Sequence, residues 1–481
     1  MFFVDKKYFV EEWIPGFKYN METITPKKTS IDEYLSENKE NFERTLFDLL
    51  KIPSISAQEP HLPDCRWAAE WLAAYFRRMN FRAELLETAE NPLVFAESPR
   101  IPNAPTVLIY GHYDVQPPDP EAKWLTPPFE PTIRDGVLYA RGATDDKGPL
   151  MAHVFAVEYW ARTGQPLKLN WKFLIEGNEE CGGDAAGEYV RNHRGALKCD
   201  YLVLSDSPQL APGQPAITRG LRGIAAYELK LTGPNRDLHS GMFGGAVTNP
   251  CDALARMLAA LKDENQRVAI PGFYDDVRPI SSNERHQLGT LPQAETEFYA
   301  GVGVTDGIGE EGFSPLERRW VRPCLDINGI SGGYQGEGGK TIIPASASAK
   351  FSCRLVPNQD PEKITVSLRK FLEKLCPPGI RMSLDARGGS RGVTIDTSTP
   401  CMQAAVRAIE FGFGRSPVFI YEGGSIPIVT TFVECLTPNI MMIGLSQSTD
   451  NAHSPNEHFS LADFYHGIKT SARLWRELAG L

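Results

Sequence analysis

The sequence predicts an α/β fold in which an open, mostly parallel sheet is interrupted by an inserted α+β domain. Short β-type runs at Thr106–Tyr110, Lys172–Ile175 and Tyr201–Ser205 alternate with stretches of helical periodicity. Strands that alternate with helices are typical of a sheet of buried parallel strands. The pattern changes character after Pro215 and returns near Thr399, so the segment between them is predicted to be an insertion.

The first part of the sheet domain begins with a predicted helix from Ile31 to Leu50, in which Ser30 and Glu33 form a capping box. Within the insertion, strand-like and helical runs alternate. Residues 265–322 have weak periodicity, and we interpret them as a segment of the insert that departs from its regular strands and helices. The predicted domains are an N-terminal extension (1–28), the sheet domain in two parts (29–216 and 395–481) and the insert (217–394).

Composition excludes several classes of function. The formal net charge of −10 gives no basic surface for nucleic acid or an anionic membrane, and no run of about 18 apolar residues predicts a membrane span. Nine widely spaced cysteines without a CxxC motif favour reduced thiols and a cytoplasmic location. Charges in residues 1–20 argue against a signal peptide, and Met21 is an alternative start.

Several side chains that can bind metal follow predicted strands. They are two histidines and a set of carboxylates: His112, Asp145, the pair Glu179 and Glu180, Asp206, and His453. An open α/β sheet has its functional crevice at the carboxyl ends of its strands, so these side chains are expected to converge there. Two histidines and three carboxylates can hold two divalent ions if one carboxylate bridges them; this donor set suits zinc, manganese or cobalt.

Each of these residues also has a simpler explanation when it is considered alone. Asp145 could cap the helix that begins near Gly148, and Asp206 could cap a turn. Glu179 and Glu180 could form a solvated turn. The metal hypothesis is favoured because all of these independent explanations would have to hold at once.

The motifs GHYDV, RGATDDKG, EGNEE, LSD and AHSPNE, in this order and spacing, resemble a known family. This is the family of co-catalytic dizinc hydrolases that includes carnosine dipeptidase, carboxypeptidase G, aminoacylase and succinyl-diaminopimelate desuccinylase. The resemblance extends from about residue 30 to the C-terminus. It is closest to the carnosine dipeptidase branch, through the segments IPGFYDDV, SGGYQGEGGKTIIP, FSCRLVPN and EGGSIP.

The resemblance implies a ligand set for two metal ions, most simply Zn²⁺, with Mn²⁺ and Co²⁺ as alternatives. One ion would take His112 and Asp206, the other would take Glu180 and His453, and Asp145 would bridge the two.

The resemblance also implies two catalytic carboxylates. Asp114 would accept a hydrogen bond from His112 and fix its tautomer. Glu179 would be the general base for a water molecule that bridges the metals.

The resemblance further implies a homodimer in which His239, from the insert, reaches the active site of the other subunit. Read without the family, His239 could simply belong to a turn. Thr341, Arg354 and Ser425 would contact substrate, with Arg354 binding its terminal carboxylate. The chain departs from the family at Tyr421, where the carnosine dipeptidases carry arginine, which puts the side-chain preference in doubt.

The implied activity is metal-dependent hydrolysis of dipeptides at the amide bond next to a free C-terminal carboxylate. Two alternatives stay open from the sequence. The same two metals could serve an N-acyl-amino-acid deacylase, or the chain could be a non-catalytic metal-binding homologue. The second would be indicated by loss of Glu179 or of a ligand, and all are present.

Overall fold

The structure is a computed structural model that describes residues 29–291 and 295–481. The predicted extension (1–28) and the alternative start at Met21 lie outside the described residues. The described strands fall into one large sheet and three smaller ones. In chain order they are β1 Arg82–Leu86, β2 Leu93–Glu97, β3 Thr106–His112, β4 Thr132–Arg134, β5 Val137–Tyr139, β6 Asn170–Glu176, β7 Tyr201–Leu204, β8 Ala216–Leu221, β9 Gly223–Thr232, β10 Leu238–His239, β11 Cys324–Gly332, β12 Ile342–Ile343, β13 Ser346–Leu355, β14 Arg381–Ser390, β15 Val393–Thr394, β16 Val418–Glu422, β17 Ile440–Ile443 and β18 His458–Ser460.

The helices of the described chain range from single turns to five turns in length. In chain order they are α1 Ile31–Leu50, α2 Leu62–Arg78, α3 Lys147–Thr163, α4 Ala185–Asn192, α5 Arg194–Leu197, α6 Ser240–Phe243, α7 Pro250–Ala259, α8 Ser282–Gly289, α9 Glu295–Gly301, α10 Pro315–Trp320, α11 Pro361–Leu375, α12 Pro400–Phe413, α13 Pro427–Cys435 and α14 Leu461–Leu478. Three short 3₁₀ helices add Glu59–His61, Glu121–Lys123 and Glu179–Cys181.

The large sheet has nine strands in the order β1-β2-β6-β3-β7-β17-β8-β15, with β16 also paired to β8. Its centre, from β6 through β3 and β7 to β17, is parallel, and β1, β2 and β15 add antiparallel edges. The central strands are buried along their length because helices α1, α3 and α14 pack together with them in one large core. The predicted α/β class with an open, mostly parallel sheet is therefore confirmed.

A second sheet has the order β11-β13-β9-β14 and is antiparallel throughout. Strands β9 and β13 alternate buried and less buried residues because one face packs on α7 and α11 in a separate core. The predicted insert boundaries at 217 and 394 stay a prediction; β8 and β15, which contain them, pair with each other within the large sheet.

Several predicted elements agree with the structure and others were not foreseen. Helix α1 has the predicted bounds, and Ser30 and Glu33 form the capping box. The sequence analysis did not predict β2, which lies between β1 and β6. Within the weakly periodic residues 265–322, the structure has α8, α9 and α10; α10 begins with a capping box at Ser314.

Candidate metal centre

The fold brings the carboxyl ends of three neighbouring parallel strands to one edge of the large sheet. Strand β3 ends on His112, β6 leads into the 3₁₀ turn that begins at Glu179, and β7 ends two residues before Asp206. Asp145 lies just before helix α3, and His453 lies in the loop between β17 and β18. Five separate segments therefore supply one cluster.

The five predicted ligands form two overlapping groups. His112, Asp145 and Asp206 offer ligand atoms that all lie within 4.8 Å of one another, and so do Asp145, Glu180 and His453. Asp145 is the member common to both groups. This donor set of imidazole and carboxylate fits two divalent ions that share one carboxylate, and it contains no thiolate.

The two oxygens of Asp145 face opposite histidines. His112 Nε2 lies 3.0 Å from Oδ1, and His453 Nε2 lies 2.9 Å from Oδ2. His453 Nε2 also lies 3.1 Å from Oε2 of Glu180. Each histidine thus turns its Nε2 toward Asp145, so that one carboxylate lies between two candidate imidazole ligands.

Asp114 is fully buried and contacts both groups. It accepts hydrogen bonds from the Ser56 hydroxyl at 2.6 Å and from the Glu180 backbone N–H at 3.1 Å, both at Oδ2. His112 Nδ1 lies 3.1 Å from the Asp114 carbonyl oxygen and 3.5 Å from its Oδ1. Because both neighbours of Nδ1 are acceptors, the proton belongs on Nδ1 and leaves Nε2 free for a metal ion.

Glu457 holds the loop that carries Asp145, a role that the sequence analysis missed. Its buried carboxylate accepts from the backbone N–H groups of Gly142, Thr144 and Asp145 at 3.0, 2.9 and 3.2 Å. The Arg141 guanidinium donates to it at 2.7 Å. Burial raises the pKa of Glu457 to about 7, against the opposing charge of Arg141. The one available signal was that Glu457 is the last residue of the AHSPNE motif.

The electrostatics of the cluster reflect an excess of carboxylates. Burial, followed by the negative charges of Asp206 and other acidic neighbours, raises the pKa of Glu179 to about 8. Burial and the charge of Asp145 raise the pKa of Asp206 to about 7. Hydrogen bonds to Asp145 and Glu180 raise the pKa of His453 to about 10. A site in which Glu179 and Asp206 resist ionisation and His453 gains a proton is one that favours added positive charge.

A cleft of about 510 Å³ opens onto the cluster and is lined by Asp145 and Asp206. Helix α10 contributes Arg319 and Trp320 to this cleft, and β16 contributes Glu422. The sequence analysis did not single out these three residues. Arg319 and Trp320 lie in the weakly periodic segment, where a helix of six residues gives little periodic signal.

Arg354 and Ser425, two of the residues predicted to contact substrate, are hydrogen-bonded to each other. Arg354 Nη1 donates to the Ser425 hydroxyl at 3.0 Å, and that hydroxyl donates to the Arg222 carbonyl at 2.6 Å. This chain of bonds fixes the Arg354 side chain between the second sheet and the EGGS segment that follows β16. The remaining donors of the guanidinium fork stay available for a ligand.

The other two predicted contacts, His239 and Thr341, lie together and belong neither to the two ligand groups nor to the lining of the cleft. Strand β10 pairs with β12, and the Ser240 N–H donates to the Thr341 carbonyl at 3.1 Å. His239 is exposed, and its Nδ1 accepts from the Gly241 N–H at 3.0 Å. The neutral ring therefore carries its proton on Nε2, which points a donor away from its own loop.

The chain belongs to Peptidase family M20/M25/M40, whose sequence profile matches residues 108–477. Among the described residues, no helix is long and apolar enough to cross a membrane.

Curated relatives are similar over nearly the whole chain. A Cys-Gly metallodipeptidase of Schizosaccharomyces pombe is 31% identical over 473 residues, which cover 94% of this chain and 99% of the relative. A Beta-Ala-His dipeptidase of Rattus norvegicus is 32% identical, with 93% of this chain and 95% of the relative covered.

Solved structures share the fold. Human carnosine dipeptidase 1 superposes with a TM-score of 0.80 at 31% identity, covering 94% of this chain and 98% of that one. The M20 family metallo-carboxypeptidase Sso-CP2 of Sulfolobus solfataricus has a TM-score of 0.83 at 34% identity, with 92% and 99% covered.

Proposed function

We propose that the protein is a dinuclear metallopeptidase that hydrolyses dipeptides at the amide bond next to a free C-terminal carboxylate. The observation that carries this proposal is Asp145, whose two oxygens face His112 and His453 at 3.0 and 2.9 Å. One ion would be held by His112 and Asp206, the other by Glu180 and His453, and Asp145 would bridge them. Zinc is the proposed metal, with manganese and cobalt as alternatives, because the donors are imidazole and carboxylate.

Two divalent ions, when bound, supply an ionised water nucleophile at neutral pH and polarise the scissile carbonyl. The chain's own residues do the remaining work. Glu179 is the proposed general base; it lies beside the ligand Glu180 and is not a member of either ligand group. It takes the proton of the attacking water and delivers it to the leaving amine. The raised pKa of Glu179 favours delivery of the proton to the leaving amine, and the positive charge of bound ions would favour the ionised form that accepts it from water.

Arg354 is the proposed binding group for the substrate's terminal carboxylate. The Ser425 hydroxyl fixes one of its nitrogens at 3.0 Å, so less side-chain freedom is lost when a carboxylate binds the rest of the fork. A captured terminal carboxylate favours peptide substrates, which agrees with relatives that are described as dipeptidases and a metallo-carboxypeptidase. An N-acyl-amino-acid deacylase, the other activity considered, has no specific observation in its favour.

We also propose a homodimer in which His239 of the partner subunit completes each active site, with Thr341 beside it. The support is that His239 is exposed, that its Nε2 donor has no partner among the described residues, and that apolar residues are exposed in α6, directly after His239, and on the four-stranded sheet. Strand β11 is an edge strand whose Ile327 and Ile330 are 45% and 66% exposed, and Met242 is 75% exposed. An open apolar edge is a surface that a second copy would cover.

A cytoplasmic location is proposed from the cysteines. All nine are unpaired, and four of them, Cys65, Cys199, Cys353 and Cys401, are buried. Free thiols persist in a reducing compartment.

The activity is tested with purified protein, loaded with zinc or with manganese, against a panel of dipeptides and N-acyl amino acids. Dipeptides with a free C-terminal carboxylate are expected to be cleaved, and their C-terminal amides are expected to be poor substrates. Preferential cleavage of N-acyl amino acids would replace the peptidase with the deacylase. No amide hydrolysis with any metal would reject the enzyme.

The shared active site is tested by mixing two inactive variants, His239→Ala and Glu179→Ala. A mixed dimer contains one site with both Glu179 and a partner's His239, so partial turnover is expected to return after subunit exchange. Heterodimer formation is verified with two affinity tags. Verified heterodimers without any recovery would contradict the shared site.

A further inference from the structure

A second and larger cavity, of about 700 Å³, lies beside the metal cleft. Strand β8 contributes Arg219 to its wall, β16 contributes Tyr421, and α8 contributes Glu284. Trp320 lines both cavities and forms the wall between them. Strand β16 also divides them, because Glu422 faces the metal cleft and Tyr421 faces the second cavity. None of the roles proposed above uses this space.

Arg219 brings to this cavity a positive charge that has no ion-pair partner within the described part of the chain. Its Nε is buried and has no hydrogen-bond acceptor among the described residues. The guanidinium carbon lies 5.3 Å from the centre of the Tyr421 ring, a cation–π contact. The exposed carboxylate of Asp396 interacts with this charge only at longer range. Because Arg219 is half-buried and no carboxylate pairs with it among the described residues, the site favours an anion.

Three of the other charged groups that line the cavity are already engaged, and the fourth, Glu434, is exposed to solvent. Arg278 donates to both oxygens of Glu284 at 2.8 Å, and the Tyr421 hydroxyl donates to the same carboxylate at 2.7 Å. Arg391 donates to Asp360 at 2.5 Å. Glu284 is therefore occupied by two donors, and Arg219 is the cation that remains for a ligand.

The rest of the wall selects the body of that ligand. Leu221, Ile280, Val356 and Val393 add apolar surface to the ring of Tyr421. A pocket with one free guanidinium and several apolar walls fits a planar carboxylate on an apolar body, since arginine binds carboxylate through two parallel hydrogen bonds. We propose that this cavity is a second binding site, for a small organic carboxylate that pairs with Arg219 and packs against Tyr421.

The second cavity lies beside both connections between the large sheet and the second sheet. Leu221 and Val393 lie where the chain passes from the large sheet into the second sheet and returns. A ligand there contacts both crossings and the shared wall at Trp320. Occupancy is therefore expected to affect the metal cleft without entering it.

The test uses benzoate as the carboxylate probe, benzamide as its neutral counterpart and inorganic phosphate as an anion without an apolar body. Binding to the metal-loaded protein is measured by calorimetry. Benzoate is expected to bind, benzamide is not, and phosphate is expected to bind more weakly. Equal binding of benzamide would overturn the role of charge, and tighter binding of phosphate would overturn the carboxylate assignment.

Arg219→Gln is expected to weaken binding of benzoate at this site by about tenfold or more, as loss of a charge-assisted hydrogen bond implies. Arg415→Gln, at an exposed position outside the cavity, is the matched control and is expected to bind as the wild type does. Unchanged affinity in Arg219→Gln would contradict the proposal.

The site is located independently in wild-type crystals of the metal-loaded protein soaked with 4-bromobenzoate. The anomalous signal of bromine is expected between Arg219 and Tyr421. A bromine signal confined to the metal cleft would overturn the second site, whether or not the variant folds.

Discussion

The metal cluster and the β10–β12 pair differ in whether their functional side chains contact one another within one chain. In the cluster, Asp145 already contacts His112 at 3.0 Å and His453 at 2.9 Å through ligand atoms. In the β10–β12 pair, His239 is exposed and its imidazole contacts its own loop at Gly241. A site built from loops at one edge of a sheet forms within the chain. In the proposed dimer, a residue whose donor points away from its own loop would act in the partner subunit.

The largest effect is expected at Glu179, which is proposed to act in the metal cluster as a general base and not as a ligand. Glu179→Ala is expected to lower kcat by roughly 10²–10⁴, the range of general-base contributions, while both metal ions stay bound. Turnover and metal content are measured together on the same sample. Glu188→Ala, on the exposed face of α4, is the matched control. A Glu179→Ala protein with wild-type turnover would remove Glu179 from the chemistry.

A smaller effect is expected at Asp114, which positions His112 without being a ligand. Asp114→Asn is expected to weaken metal affinity by about 10–100-fold, as the loss of a partner behind a ligand does. Competition with a chelator of known affinity measures it. The exposed Asp385→Asn serves as the control. Unchanged affinity would show that the Asp114 carbonyl, 3.1 Å from Nδ1, orients the ring by itself.

The smallest effect is expected at Arg354, which lies outside both regions. Arg354→Lys keeps the charge but loses the planar fork. The KM for dipeptides is therefore expected to rise by about tenfold, which corresponds to the loss of one charge-assisted hydrogen bond. Steady-state kinetics measure KM and kcat separately, with the exposed Arg381→Lys as the control. An unchanged KM, or equal loss on a C-terminal amide, would show that Arg354 does not bind the carboxylate.

The metal cluster could be predicted from the sequence because most of its residues stand at the ends of strands. Strands are recognised by their periodicity, and the carboxyl ends of parallel strands are where an open sheet places its functional side chains. His112 is the last residue of β3 and Asp206 follows β7, two strands that their apolar residues make easy to recognise. Glu457 was missed because its role depends on backbone N–H groups more than 300 positions away in the chain, which no local pattern encodes. Helix α10 was missed for the opposite reason, since six residues are too few to establish a period.

The fold likewise has features that the local sequence predicts and features that it does not. Helix α1 combines an apolar stripe with a capping box, so its bounds were predictable from local sequence. The order of the large sheet was not, because β2 enters between β1 and β6 and β17 enters between β7 and β8 from distant parts of the chain. Strand order depends on which buried faces match in space, and a single sequence does not contain that information in local form.

The central claim is that Asp145 bridges two metal ions. The most direct measurement is a crystal structure of the purified protein at the zinc absorption edge, with metal content determined on the same preparation. The account predicts two ions per chain, about 3.5–4 Å apart, on either side of the Asp145 carboxylate. A single ion per chain, or an Asp145 that contacts no metal, would contradict it.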